Sequence, residues 1–129
     1  LRRTASRILE RSPQARLACL NVQKLNRIAM DSSLDEEGNN KHVQRLVGLK
    51  DWAQGLKLEQ GRITFHVLEA IDPADTILDY ARQNNVDHIL MGARENSTRR
   101  KILGSVSGKV AAEAPCSVTV VRNRQLTEE

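Results

Sequence analysis

The sequence predicts an α/β fold, a doubly wound parallel sheet with helices on both faces, and three observations predict it. Apolar residues switch between helical and strand spacing along the whole chain, in the order αβαβαβαβ, which right-handed crossovers turn into parallel strands. Hydrophobic residues make up 40% of the chain but aromatics only 2%, so the core must be aliphatic, as suits strands covered on both faces. A polar, basic loop with Gly92 at one end and Gly104 at the other leaves one such strand and enters a helix.

Taken in order, Leu1 to Arg11 carries a helical stripe of Leu1, Ala5, Ile8 and Leu9, and Ser12-Pro13 stops it. Arg16 to Gln23 is nearly continuous in apolar residues and of strand length. Lys24 to Asn40 is polar and reads as a mobile loop. Lys41 to Leu58 spaces Val43, Leu46, Leu49, Ala53 and Leu56 along one helical face, with Gly48 and Gly55 each weakening it by about 1 kcal/mol relative to alanine. Arg62 to Leu68 alternates Ile63, Phe65 and Val67 with polar partners, which predicts a strand and puts His66 on its rim. Asp72-Pro73-Ala74-Asp75 marks a helix start, with Asp72 as cap and Pro73 in the first turn. Ile77, Leu78 and Ala81 form its inner face, and Asn84-Asn85 ends it. Asp87 to Met91 is a buried strand, a helix starts at Ser105 and stops at Ala114-Pro115, and Ser117 to Val121 is a strand of high β-propensity. The segment Arg122 to Glu129 reads as a charged tail.

At 129 residues a single domain is expected. The first element is a helix with no strand before it, although doubly wound sheets usually start from a central strand. The four strands should therefore flank a gap, and a strand upstream of Leu1 is expected to fill it. The chain carries 20 Lys and Arg against 16 Asp and Glu, a modestly basic balance that does not indicate specific nucleic-acid binding. Three aromatics, Trp52, Phe65 and Tyr80, leave little for base stacking. Cys19 and Cys116 have no partner spacing and read as buried thiols in a reducing, cytoplasmic setting. No run approaches a membrane span, and no pairing of His42, His66 and His88 assembles a metal site or a catalytic dyad.

The loop from Met91 to Gly108 carries the chemistry. Gly92 would let the backbone turn sharply off the strand, and Gly104-Ser105 would open a helix whose unpaired N–H groups and positive dipole end face an anion. Arg94, Arg99, Arg100 and Lys101 lie between. The same residue types also make a plain solvated turn. There is no Gly-x-x-x-x-Gly-Lys-[Ser/Thr] run and no Gly-x-Gly-x-x-Gly after a first strand. Gly104-Ser105-Val106-Ser107-Gly108 has valine at the centre of what would otherwise be a nucleophile elbow, so no hydrolase follows from it.

The chain resembles the universal stress protein family over nearly its whole length. The residues that carry the resemblance are Ile71-Asp72-Pro73-Ala74-Asp75-Thr76-Ile77-Leu78-Asp79-Tyr80-Ala81, the strand Asp87 to Gly92, Gly104-Ser105-Val106-Ser107, and Ala114-Pro115-Cys116-Ser117-Val118-Thr119-Val120-Val121-Arg122. The resemblance implies a Rossmann-like fold of the adenine nucleotide alpha-hydrolase-like group and a regulatory domain of the stress response that binds ATP, with or without Mg²⁺. It implies that Gly92, Gly104 and Ser105 face phosphates and ribose, that Met91 lies near the sugar or base, and that Val22 contacts the base through its backbone. Arg94, Val106 and Ser107 complete the implied cofactor-binding set. It also implies a homodimer in which Val118, Thr119, Val120 and Val121 pair antiparallel with their copies.

Two departures separate this loop from the nucleotide-binding branch, whose pattern is Gly, two residues, Gly, nine residues, Gly, then Ser or Thr. Glu95 stands where the second glycine belongs, and only eight residues, Asn96 to Leu103, separate it from Gly104. A carboxylate about 5 Å from a phosphate charge costs roughly 3 kcal/mol at an effective dielectric near 20, against about 8 kcal/mol for micromolar binding. The sequence thus leaves an alternative, a dimeric interaction module with a degenerate phosphate loop. A third reading, a substrate-adenylating enzyme of the same wider group, turns on residues before Leu1. No base or nucleophile can be named, so any ATP hydrolysis would be slow.

Overall fold

The structure is a computed structural model that describes residues 1–25, 40–93 and 104–122. Its elements follow the expected order: α1 (Arg2–Arg11), β1 (Leu17–Lys24), α2 (Lys41–Gln54), β2 (Ile63–Ala70), α3 (Pro73–Gln83), β3 (His88–Gly92), α4 (Ser105–Glu113) and β4 (Ser117–Val121). The chain divides into two compact units. One comprises Arg2 and Ser6–Ile71, the other Leu1, Arg3–Ala5 and Asp72–Glu129. The strands pair in parallel as two separate two-stranded sheets, β1 with β2 and β3 with β4.

In the first of these units β1 and β2 run in register from Leu17 opposite Ile63 to Lys24 opposite Ala70. The pairing is extended by one bond, from the Leu25 N–H to the Ala70 carbonyl at 2.7 Å. Arg62, just before β2, donates from Nε to the Ala15 carbonyl at 3.0 Å and so ties the α1–β1 turn to the start of the partner strand. Cys19 is buried in β1, and burial pushes its thiol up from the ordinary value. On β2, His66 pairs with the Thr64 hydroxyl at 3.0 Å, in keeping with a rim position.

The second helix is shorter than its apolar spacing suggests. It starts where Asn40 accepts a hydrogen bond from the Val43 N–H at 3.1 Å, and it stops at Gln54, with Gly55 as its C-cap. Beyond that, Lys57 has φ of 54°, a left-handed turn that no helix continues through. Leu56 is buried all the same, which explains why it looked helical in the pattern. Gly48 lies inside α2 with nothing within 4 Å of where a Cβ would stand. Gly48→Ala should therefore raise the unfolding free energy by about 0.5–1 kcal/mol in urea titration, since it removes backbone entropy from the unfolded chain without a clash.

The second unit is built on an aliphatic core of Ala74, Leu78 and Val110, with Ile77, Ile89, Met91, Val106, Ala114 and Val118 packed against it. The side chains of alternate strand residues supply it: Ile89 and Met91 from β3, Val118 from β4. Asp72 caps α3 as its residue type predicts, accepting from the N–H groups of Ala74 and Asp75 through one carboxylate oxygen. Asn84 and Asn85 end the helix, Asn85 with φ of 51°.

Candidate functional site

Within the second unit, β3 and β4 align from His88 opposite Ser117 to Gly92 opposite Val121, and the Ala93 N–H donates to the Val121 carbonyl at 2.8 Å. Gly92 thus continues the strand and makes no sharp turn, which corrects the reading of that glycine. Its φ lies outside the left-handed region, and a Cβ there would meet only the Val121 carbonyl at 3.9 Å. Short turns connect α3 to the start of β3 and α4 to the start of β4. Because both helices pack along these parallel strands, the N-termini of both face the carboxyl end of the sheet.

The helix that follows the loop begins without a side-chain cap. Gly104 is its N-cap, at φ −62° and ψ 164°, and the first helical bond runs from the Gly108 N–H to the Gly104 carbonyl at 2.8 Å. The N–H groups of Ser105, Val106 and Ser107 come before that bond and have no acceptor among the described residues. In α2 and α3, by contrast, Asn40 and Asp72 supply that acceptor. Three clustered donors at the positive end of a helix are chemically suited to an anion.

Side chains of the expected site residues divide between the core and the surface. Met91 and Val106 are half-buried and pack against the core. Ser107 is buried, and its hydroxyl donates to the Gly104 carbonyl at 3.3 Å, one turn back. Ser105 and Gly92 are exposed and Gly104 half-buried. Val22 belongs to β1 in the other unit, half-buried and opposite Leu68. Arg94, Glu95, Arg99, Arg100 and Lys101 lie outside the described residues. On the strand expected at the dimer contact, Val118 faces the core, and Val118 to Val121 are all half-buried.

Sequence reasoning missed one cluster, which joins α4 to the start of α3. The Lys109 ammonium lies 2.7 Å from the Asp75 carboxylate and 3.2 Å from the Asp72 oxygen that does not cap α3. Its hydrogen bond to Asp75, and then that to Asp72, hold the ammonium well above the ordinary lysine range. The bond from Lys109, followed by that from the Asp75 N–H, holds the Asp72 carboxyl below the usual aspartate range. Lys109 and Asp72 are 37 positions apart, so nothing in local spacing announces the pair.

Among the described residues no group of His, Cys, Asp and Glu could hold a metal, and no helix is long and apolar enough to cross a membrane. His88 instead contacts the Thr119 hydroxyl across the sheet at 2.8 Å.

Comparison with known proteins finds relatives of the chain. Residues 1–122 match the model of the universal stress protein family. A universal stress protein of Methanothermobacter thermautotrophicus is 40% identical over 76 residues, covering 57% of this chain and 52% of its own. A putative universal stress protein of Staphylococcus saprophyticus is 32% identical over 102 residues, covering 77% of this chain and 59% of its own. The chain thus spans little more than half the length of the curated relatives it matches. Among solved structures, the universal stress protein UspA from Lactobacillus plantarum superposes with a TM-score of 0.71 at 27% identity, covering 93% of this chain and 86% of that one.

Proposed function

The chain belongs to the universal stress protein family, and from that premise we propose that it is a regulatory domain of the cytoplasmic stress response that binds ATP or a related adenine nucleotide. The observation that carries this reading is the trio of N–H groups at Ser105, Val106 and Ser107, which lack any acceptor among the described residues behind a glycine cap. These donors fit a phosphate, with the Ser105 hydroxyl exposed beside them. Gly104 has no side chain to stand between them and the ligand. The bound nucleotide would supply charge that alters how the domain meets its partners; no step of bond cleavage is assigned. Calorimetry of ATP with magnesium against the full-length protein tests the reading. Saturable binding is expected, and its absence at millimolar ATP would refute it.

A second reading rests on Glu95 and the shortened spacing to Gly104, which weaken the phosphate loop. In that case the domain acts through its dimer surface alone. Either reading includes a homodimer through β4, which pairs only with β3 among the described residues and so has a second backbone edge for an antiparallel copy. Light scattering at tens of micromolar should report a dimer, and Val120→Asp should shift it to monomer; an unchanged dimer in the variant would exclude this edge.

A further inference from the structure

We infer that Lys109 is a positioning residue of the phosphate site, one that makes the acidic start of α3 compatible with an anionic ligand at the start of α4. This inference rests on the nucleotide reading above. The N-termini of α3 and α4 lie at the same end of the β3–β4 sheet, and each presents a positive dipole end there. They differ in how they are satisfied. At α3 the Asp72 carboxylate occupies the free N–H groups, accepting from Ala74 at 3.0 Å and Asp75 at 3.3 Å, so that end is closed to a ligand. At α4 Gly104 supplies no side-chain cap, and the corresponding N–H groups have no acceptor among the described residues.

Asp72 at the cap and Asp75 in the first turn put two carboxylates at this end of α3, beside the end of the sheet where phosphates would bind. Lys109 meets both, at 3.2 Å and 2.7 Å. It stands four residues after Ser105, one helical turn away, and the Cα–Cβ bonds of a helix tilt toward its N-terminus. Lys109 therefore shares a face of α4 with Ser105, whose N–H is the first of the donors. With Lys109 in place the local sum of Asp72, Asp75 and Lys109 is minus one; without it, minus two, against a ligand that is itself polyanionic. The same contact fixes the second turn of α4 to the first turn of α3, and so holds the direction in which the donors point.

The test compares ATP, ADP and adenosine binding to the full-length protein and to Lys109→Met, Lys109→Arg and the double variant Lys109→Met with Asp75→Asn, with unfolding followed in parallel. Methionine keeps the length and helix preference of the side chain and removes its charge. Lys109→Met should weaken ATP about three- to tenfold at low salt and ADP by less, and it should leave adenosine unchanged. Lys109→Arg should restore ATP affinity, and the double variant should recover part of it. An equal loss for ATP and adenosine would show a role in stability alone and overturn the inference, as would unchanged ATP affinity in Lys109→Met. If the unmodified protein binds no ATP, the nucleotide reading falls and this inference with it, an outcome distinct from either of these.

Discussion

Leu78→Ala lowers the unfolding free energy by about 3 kcal/mol, the expected cost of removing a fully buried leucine from a core that cannot close around the gap. Leu78 is 1% exposed at the centre of α3, and its immediate core partners are Ala74 and Val110. The methyl of Ala74 cannot swing into the cavity, and Val110 is β-branched on a helix and has one favoured rotamer. No aromatic ring takes part in this cluster, so many small aliphatic contacts share the load. A domain of this size has about 5–15 kcal/mol in all, so the variant should unfold at clearly lower urea. A loss under about 1 kcal/mol would mean that α3 is not seated on β3 and β4 through this residue.

The second large effect is on ligand binding with the fold left intact. Gly104→Asp should reduce ATP affinity about a hundredfold or more, because a carboxylate within about 5 Å of a phosphate costs roughly 3 kcal/mol per charge pair at an effective dielectric near 20. The backbone does not resist the change. Gly104 has φ −62° and ψ 164°, a conformation open to any residue. Aspartate is moreover a favoured N-cap, so its side chain would accept from the donors otherwise left to the ligand and hold or raise helix stability. Thermal unfolding should therefore stay level while calorimetry loses the ATP signal. Retained affinity would mean that the phosphates do not bind at α4.

How much of this was legible in the sequence depended on whether the signal was local. Asp72-Pro73 announced the start of α3 because a cap and a first-turn proline act on their own neighbours, and β4 followed from an unbroken β-branched run. The Asn40 cap was hidden in a long polar stretch, and the end of α2 was overrun because Leu56 keeps helical spacing from a turn that has already left the helix. The start of α4 after Gly104, at Ser105, was legible from the residue types there, but the direction of each side chain was not. Met91 and Val106 point into the core because strand and helix periodicity put them on the same faces as Ile89 and Val110, and Ser107 turns back onto Gly104. The Lys109 cluster depends on two helices meeting, which no single stretch of residues encodes.

The parallel pairing of β1 with β2 has a consequence for how this chain can vary. Leu17 meets Ile63 only after the chain has passed through the whole of α2, and the Arg62 bond to Ala15 closes a loop of 47 positions. Closure entropy grows with the logarithm of loop length, so doubling such a loop costs only about 0.6 kcal/mol. A change in the length of that connection is thus cheap in closure entropy, while a slip of one residue in the β1–β2 register would turn every side chain of a strand to the wrong face.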